Sequence, residues 1–214
     1  MTHKVSYQGL NPLTFLERSA FVYPDKTAVV YNEKRYTYAQ LSDRVRQLAG
    51  ALAKVGVQKE DKVAFLVPNI PPMLEGHFGP LRLGAILVAL NTRLSPRELA
   101  YILNHSEAKV LVFDSELASI VRAFKDDVPG IETYVQVVDI APKADDIQGP
   151  DYESFIALAA NEDHRVELDS ELDTVAINYT PGTTGMPKGV EYNARGAYLA
   201  AIGEILEMGM NWRS

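Results

Sequence analysis

The residues with the clearest chemical potential lie in the stretch NYTPGTTGMPKGVEY, which runs from Asn178 to Tyr192. Its threonines, glycines and lysine are Thr180, Thr183, Thr184, Gly182, Gly185, Gly189 and Lys188. Glycines let the backbone approach a ligand closely and adopt positive φ. Backbone N–H groups in such a turn can form an anion-binding nest. Because the hydroxyls add donors and the lysine adds a positive charge, the stretch predicts a site for a phosphate-like anion.

Two common phosphate-binding patterns do not fit this stretch. A Walker A loop requires Gly-x-x-x-x-Gly-Lys-Ser/Thr, whereas Lys188 follows Pro187 and precedes Gly189. A dinucleotide fingerprint requires Gly-x-Gly-x-x-Gly, and Gly182 and Gly185 have the wrong spacing for it. On composition alone, an ordinary surface turn rich in glycine and threonine remains the alternative.

Alternating strand and helix patterns surround the stretch and must position it. Apolar runs predict strands at 62–67, 85–90, 109–114, 133–139 and 173–180, as expected for strands buried on both faces. Helices are expected at 11–22, 38–55, 72–83, 96–105, 115–125, 152–160 and 195–208, with a hairpin at Asn32-Glu33 and a surface loop at 141–151. The repeated β-α units predict an α/β fold, a layered αβα sandwich with a mostly parallel sheet.

This order of elements also suggests how the chain is divided. We expect a helix, hairpin and helix segment at 1–60, parallel β-α units at 61–179, the phosphate loop at 180–189 and the following helix at 190–214. In open α/β sheets, ligands bind at the carboxyl ends of strands. The motif at the end of the strand 173–180 is therefore well placed to bind one.

Composition narrows the functional classes. The chain has 214 residues, 47% of them hydrophobic, and a formal net charge of -7. That charge, without a basic stripe, argues against a nucleic-acid partner. No cysteine is present, which excludes disulfides and fits a reducing, cytoplasmic location. The first residues lack the apolar run of a signal peptide, no apolar run is long enough to span a membrane, and the four scattered histidines do not suggest a metal site.

The whole string is more specific than its composition. YTPGTTGMPKG resembles the phosphate loop of the adenylate-forming acyl-activating enzymes, which usually reads Tyr-Thr-Ser-Gly-Thr-Thr-Gly-x-Pro-Lys-Gly. The stretch FLERSAFVYPDKTAVVYNEKRYTYAQLSDRVRQLAGAL is similar to their amino-terminal segment, and GAILVALNTRLSPRELAYILNHSEAKVLVFD resembles the acyl-CoA synthetase branch. This resemblance covers essentially the whole chain. It identifies the fold expected here as the first half of the family's large amino-terminal domain.

The resemblance implies a function. Family members activate a carboxylic acid with ATP to give an acyl-adenylate and pyrophosphate, and a thiol, commonly that of coenzyme A, then displaces AMP. By resemblance, the phosphates would be held by Thr180, Gly182, Thr183, Thr184, Gly185 and Lys188. Thr184 would also help to hold Mg²⁺. The block SPREL favours a fatty or other aliphatic acid as the substrate.

Two departures from the family pattern bear on this function. Pro181 stands where the family usually has serine, so a hydroxyl and a backbone N–H are lost together. Asn193 and Ala194 stand where serine and histidine are common.

The family's later motifs and its catalytic lysine lie beyond this sequence. We therefore expect the amino-terminal part of a ligase, not competent alone, that could self-associate through an uncovered face. The alternatives are a short non-catalytic chain that binds a nucleotide or a partner, and an enzyme that loads a carrier-protein thiol.

Overall fold

The computed structural model of the chain describes residues 8–180 and 185–210. Its helices are α1 Leu13–Val22, α2 Tyr38–Lys54, α3 Pro71–Arg82, α4 Pro96–Ser106, α5 Ala118–Phe124, α6 Tyr152–Ala157 and α7 Ala194–Glu207. Its strands are β1 Thr27–Tyr31, β2 Lys34–Thr37, β3 Lys62–Leu66, β4 Ile86–Ala89, β5 Ala108–Asp114, β6 Thr133–Val137, β7 Thr174–Thr180 and β8 Lys188–Asn193. Two short 3₁₀ turns, Ser115–Leu117 and Lys125–Asp127, flank α5.

Local sequence signals fix several of these boundaries. Thr37 and Ser95 each accept a hydrogen bond from the backbone three residues later in a complete capping box, and they start α2 and α4. Strands β1 and β2 form the expected antiparallel hairpin, in which Asn32 adopts a φ of 49°. Gly56 follows α2 with a φ of 90°, as a residue that ends a helix commonly does.

Within the described residues, six strands form the central sheet in the order β6-β5-β3-β4-β7-β8. The first five are parallel, and β8 pairs with β7 in the antiparallel direction. The predicted α/β class with a mostly parallel sheet is therefore confirmed. The helix predicted at 195–208 is confirmed as α7, and the strand β8 that precedes it was not predicted.

Helices cover the sheet on both faces. Val63 and Phe65 of β3 pack into one core cluster with residues of α2, α3 and α6. Ala64 and Leu66 of the same strand pack into the other cluster, with residues of α4 and α5. Because alternate residues of a strand point to opposite faces, these two clusters place the sheet in the middle of three layers.

The stretch 141–151 is irregular and mostly not buried, as expected of a surface loop, but it is attached to the core at two positions. Ala144 and Ile147 are buried, and so is the whole of Gln136. The Gln136 amide donates to the carbonyls of Ala144 and Ile147 at 2.9 Å each and accepts from the Ala144 N–H at 2.8 Å. One buried side chain therefore binds the backbone of this irregular segment, and the Gln136 backbone N–H of β6 adds a bond to the Pro150 carbonyl at 3.0 Å.

Candidate functional site: the β7–β8 hairpin

Strand β7 carries the phosphate motif to the carboxyl edge of the sheet. Val175 and Ile177 are buried, whereas Asn178 and Thr180 are exposed on the opposite face. The strand pairs with β4 from Ala176 to Asn178. Its last residue, Thr180, therefore projects past β4 at the edge where α/β proteins bind ligands.

Strand β8 returns directly beside β7. Thr180 is the register partner of Lys188, and Tyr179 is the partner of Gly189. Side chains of directly opposed residues lie on the same face, with Cβ atoms about 4.5–5.5 Å apart. The hairpin therefore brings together two residues predicted to bind phosphate, the hydroxyl of Thr180 and the ammonium group of Lys188.

Lys188 is exposed and forms no ion pair with another residue in the described ranges. Other lysines of the sheet region behave differently. Lys59 lies 2.6 Å from a carboxylate oxygen of Asp169, and Lys109 lies 2.8 Å from one of Asp61. The charge of Lys188 is therefore available to an anion at the end of the hairpin.

The glycines of the motif have different surroundings. A Cβ atom built on Gly185 would meet nothing within 4 Å among the described residues. One built on Gly189 would lie 3.2 Å from Cζ of Tyr179 and 3.2 Å from Cγ2 of Ile177. Gly189 is not among the residues with positive φ, so the close approach that it permits is to the Tyr179 ring.

The other predicted phosphate contacts, Gly182, Thr183 and Thr184, lie outside the described residues, as does Pro181. The magnesium contact predicted for Thr184 falls there too. In the described part of the chain, no group of three or more histidine, aspartate or glutamate side chains is arranged to hold a metal ion.

The second departure from the family pattern has a structural explanation. Asn193 caps α7, and its Oδ1 accepts a hydrogen bond from the Gly196 N–H at 2.7 Å. Asparagine caps helices about as well as serine does. Ala194 is buried with Leu13, Leu81 and Val175, so this position offers no polar group to a ligand.

A contact near the loop end of the hairpin was missed by the sequence analysis. The Tyr179 hydroxyl oxygen lies 2.8 Å from Nδ1 of His105, on the last turn of α4. Burial raises the pKa of Tyr179. His105 was grouped with the scattered histidines because a separation of 74 positions leaves no signal in a single sequence.

The fold and this hairpin define the class of protein. The chain matches the AMP-binding enzyme family over residues 16–212, and it belongs to that family. No helix in the part of the chain that the structure describes is long and apolar enough to cross a membrane.

Named relatives are CoA ligases. The chain is 38% identical over 212 residues to 4-hydroxybutyrate–CoA ligase 2 of Metallosphaera sedula, with 97% of this chain and 38% of the relative covered. It is 34% identical over 213 residues to a butyrate–CoA ligase of Arabidopsis thaliana named as peroxisomal, with coverage of 94% and 37%. The chain therefore spans well under half the length of these relatives.

A solved structure gives the same picture. The anthranilate CoA ligase AuaEII, crystallised with anthranoyl-AMP, superposes with a TM-score of 0.79 at 27% identity. The superposition covers 91% of this chain and 37% of that one. Because the three acids named in these relatives differ, membership of the family does not by itself select a substrate.

Proposed function

We propose that the chain is the amino-terminal part of an ATP-dependent acyl-CoA ligase and that its β7–β8 hairpin holds the triphosphate of ATP. The observation that carries this proposal is the position of Lys188, exposed, without a partner in the described residues and opposite Thr180 at the sheet's carboxyl edge. The hydroxyls of Thr183 and Thr184 and the backbones of Gly182 and Gly185 would complete the phosphate contacts.

The chemistry follows from these groups. A carboxylate oxygen of the acid attacks the α-phosphorus of ATP, the bond to the bridging oxygen breaks, and pyrophosphate leaves. Negative charge on the leaving group grows during this step, so a fixed cation and hydroxyl donors beside it lower the barrier. The thiol of coenzyme A then attacks the acyl carbon and AMP leaves, which gives the thioester.

Mg²⁺, when bound, would neutralise part of the triphosphate charge. We assign Thr184 as its contact from this chain, on the family resemblance. The hairpin residues orient the nucleotide. Lys188 is assigned this binding role and is not the family's catalytic lysine.

For the acid, we propose an aliphatic, fatty-type substrate. Two of the relatives described above are named for butyrate and 4-hydroxybutyrate, which agrees with the SPREL block. Anthranilate in AuaEII makes an aromatic acid the alternative. Separate assays with aliphatic and aromatic acids, and with coenzyme A and a carrier-protein thiol as acceptors, would distinguish these possibilities.

The test is pyrophosphate exchange by a chain extended to the length of its relatives. Lys188→Ala should slow exchange roughly ten- to hundredfold, because a hydrogen bond to a charged group contributes about 1.5–3 kcal/mol. Lys143→Ala, which removes an exposed lysine from a distant loop, is the matched control and should leave exchange unchanged. An unchanged rate in Lys188→Ala would remove the role given to Lys188, and exchange by the 214-residue chain would show that the later motifs are not required.

Two further parts of the proposal concern location and partners. A cysteine-free chain suits a reducing cytoplasm, with the peroxisome of the Arabidopsis relative as the alternative. On α7 and just after it, apolar side chains are exposed at Leu199, Ile205, Leu206, Met208 and Met210. Because exposed apolar patches mark contact surfaces, the 214-residue chain should self-associate in sedimentation experiments. Leu206→Glu should weaken that association, and a monomer at all concentrations would contradict it.

A further inference from the structure

The loop end of the hairpin has little support from the sheet. Strand β4 pairs with β7 only as far as Ala89 opposite Asn178. Tyr179 and Thr180 extend beyond that point, and their only strand partners among the described residues are Gly189 and Lys188 of the edge strand β8. A two-stranded ribbon is only marginally stable by itself. The positions of Thr180 and Lys188 must therefore be fixed by contacts outside the sheet.

The side chain of Tyr179 makes such a contact. Its hydroxyl oxygen lies 2.8 Å from Nδ1 of His105, and the two rings meet edge to face with centroids 5.8 Å apart. One turn earlier on α4, Tyr101 lies against His105 with ring centroids 5.4 Å apart. Since α4 packs on the sheet through Leu99 and Ile102, this row of rings connects the projecting end of β7 to a helix fixed in the core.

Gly189 lets the same ring fix β8 as well. It lies opposite Tyr179 in the register, and a Cβ atom there would approach the tyrosine Cζ to 3.2 Å. That distance is shorter than an ordinary contact between carbon atoms. The Tyr179 ring therefore rests directly on the backbone of β8 at Gly189. Thr180 follows Tyr179 and Lys188 precedes Gly189, so this contact lies immediately beside both of them.

The solvent exposure of this contact separates it from ordinary core packing. His105 is exposed, and a hydrogen bond open to water contributes little to the stability of a fold. Its effect is to fix an orientation. A hydrogen bond that fixes an orientation but adds little stability is expected where the positions of neighbouring residues, here Thr180 and Lys188, matter for binding.

We propose that Tyr179, His105 and Gly189 form a brace that positions Thr180 and Lys188 to bind the nucleotide triphosphate. The three are positioning residues, because none is assigned a contact with substrate. The inference rests on the proposed function for its consequence in catalysis. The brace itself can be measured without any activity.

The first test uses the chain extended to the length of its relatives. Tyr179→Phe keeps the ring and removes the hydroxyl, so it should raise KM for ATP about three- to tenfold, the factor that one hydrogen bond supplies. The value of kcat and the unfolding midpoint should stay near those of the wild type. His105→Leu should have the same effect, and His105→Gln, whose amide can still bond the hydroxyl, should recover most of the loss.

Gly189→Ala and Tyr198→Phe complete the set. The alanine should raise KM for ATP because its Cβ displaces the Tyr179 ring. Tyr198 stacks on Phe15 with ring centroids 4.3 Å apart, on α7 and away from α4. Loss of its hydroxyl should change neither KM nor kcat. If KM rises only in proportion to a loss of stability, the residues serve the fold and the brace is refuted.

The second test measures the brace in the 214-residue chain itself. Amide hydrogen exchange at Lys188 and Gly189 should be faster in Tyr179→Phe and His105→Leu than in the wild type, and His105→Gln should be close to the wild type. If the extended wild type shows no pyrophosphate exchange, the proposed function fails, yet amide exchange still decides whether the brace exists. Wild-type amide exchange in both variants would overturn it.

Discussion

The carboxylate of Glu75 and the ammonium group of Lys188 differ in what surrounds them. Glu75 lies on α3 with no exposed surface, and it accepts hydrogen bonds from Arg44 Nε at 2.6 Å and from the Tyr152 hydroxyl at 2.6 Å. Lys188 is exposed at the start of β8 without a partner in the described ranges. The comparison separates two uses of charge, one that joins helices inside the fold and one that remains available to a ligand.

The buried network connects three helices on one face of the sheet. Arg44 of α2 joins Glu75 of α3 to Glu153 of α6, with its Nη2 atom 2.7 Å from the latter carboxylate. Burial raises the pKa of Glu75, and the bonds from Arg44 and Tyr152 act against that rise. Because the buried Glu75 carboxylate is bonded by both Arg44 and Tyr152, we interpret this cluster as a structural feature.

The largest expected effect comes from breaking that network. Arg44→Ala would leave Glu75 buried without its cation, which should lower the free energy of unfolding by about 3–5 kcal/mol. Denaturant unfolding followed by circular dichroism measures it. Lys188→Ala is the matched change at the hairpin and should leave stability almost unchanged, because exposed substitutions usually do. Equal losses in the two variants would abolish the distinction between the two regions.

Sequence reasoning predicted the elements better than the contacts between them. Strand β3 was predictable because a strand buried on both faces must be apolar throughout, and the capping boxes at Thr37 and Ser95 fixed two helix starts. Strand β8 was not, because KGVEYN lies at an exposed edge and its alternation of apolar with polar residues covers only Val190 to Asn193. Its existence depends on pairing with β7, which no local pattern records.

The same limit applies to the site. The motif named the residues that we propose bind phosphate, yet the placement of Lys188 opposite Thr180 is a matter of register. The contact between Tyr179 and His105 joins positions 74 apart, and that between Arg44 and Glu75 joins positions 31 apart. Such pairs arise from the packing of helices on the sheet, so composition and spacing cannot reveal them.

A smaller effect is expected at the hairpin from Pro181→Ser. The substitution restores a backbone N–H and a hydroxyl in the loop proposed to hold the triphosphate, and one such donor to a charged group contributes about 1.5–3 kcal/mol when well placed. We expect adenylation by the extended chain to rise about tenfold in pyrophosphate exchange. Pro142→Ser, in an exposed loop far from the motif, should have no effect. A lower rate in Pro181→Ser would mean that proline supports adenylation better than serine at this position of the chain.

The smallest effect concerns an ion pair that is formed but not buried. Arg122 donates to Asp146 with Nη2 2.7 Å from Oδ1, at the surface between α5 and the segment that follows β6. The hydrogen bond from Arg122 lowers the pKa of Asp146 from 3.8 to about 2. A carboxylate whose pKa is depressed in the folded state stabilises the fold at pH values above its pKa in the unfolded chain. This contribution is lost as the pH falls through its pKa in the folded state.

The wild type should therefore lose more stability than Asp146→Asn as the pH falls from 3.8 towards 2. Plots of the free energy of unfolding against pH for the two proteins should converge at the acid end. Arg122→Ala removes the cause of the shift and should flatten the pH dependence in the same way. Parallel curves for all three proteins would mean that the pair contributes nothing. Convergence would place this pair between the two regions compared above, because Asp146 has a partner, as Glu75 does, but is open to water, as Lys188 is.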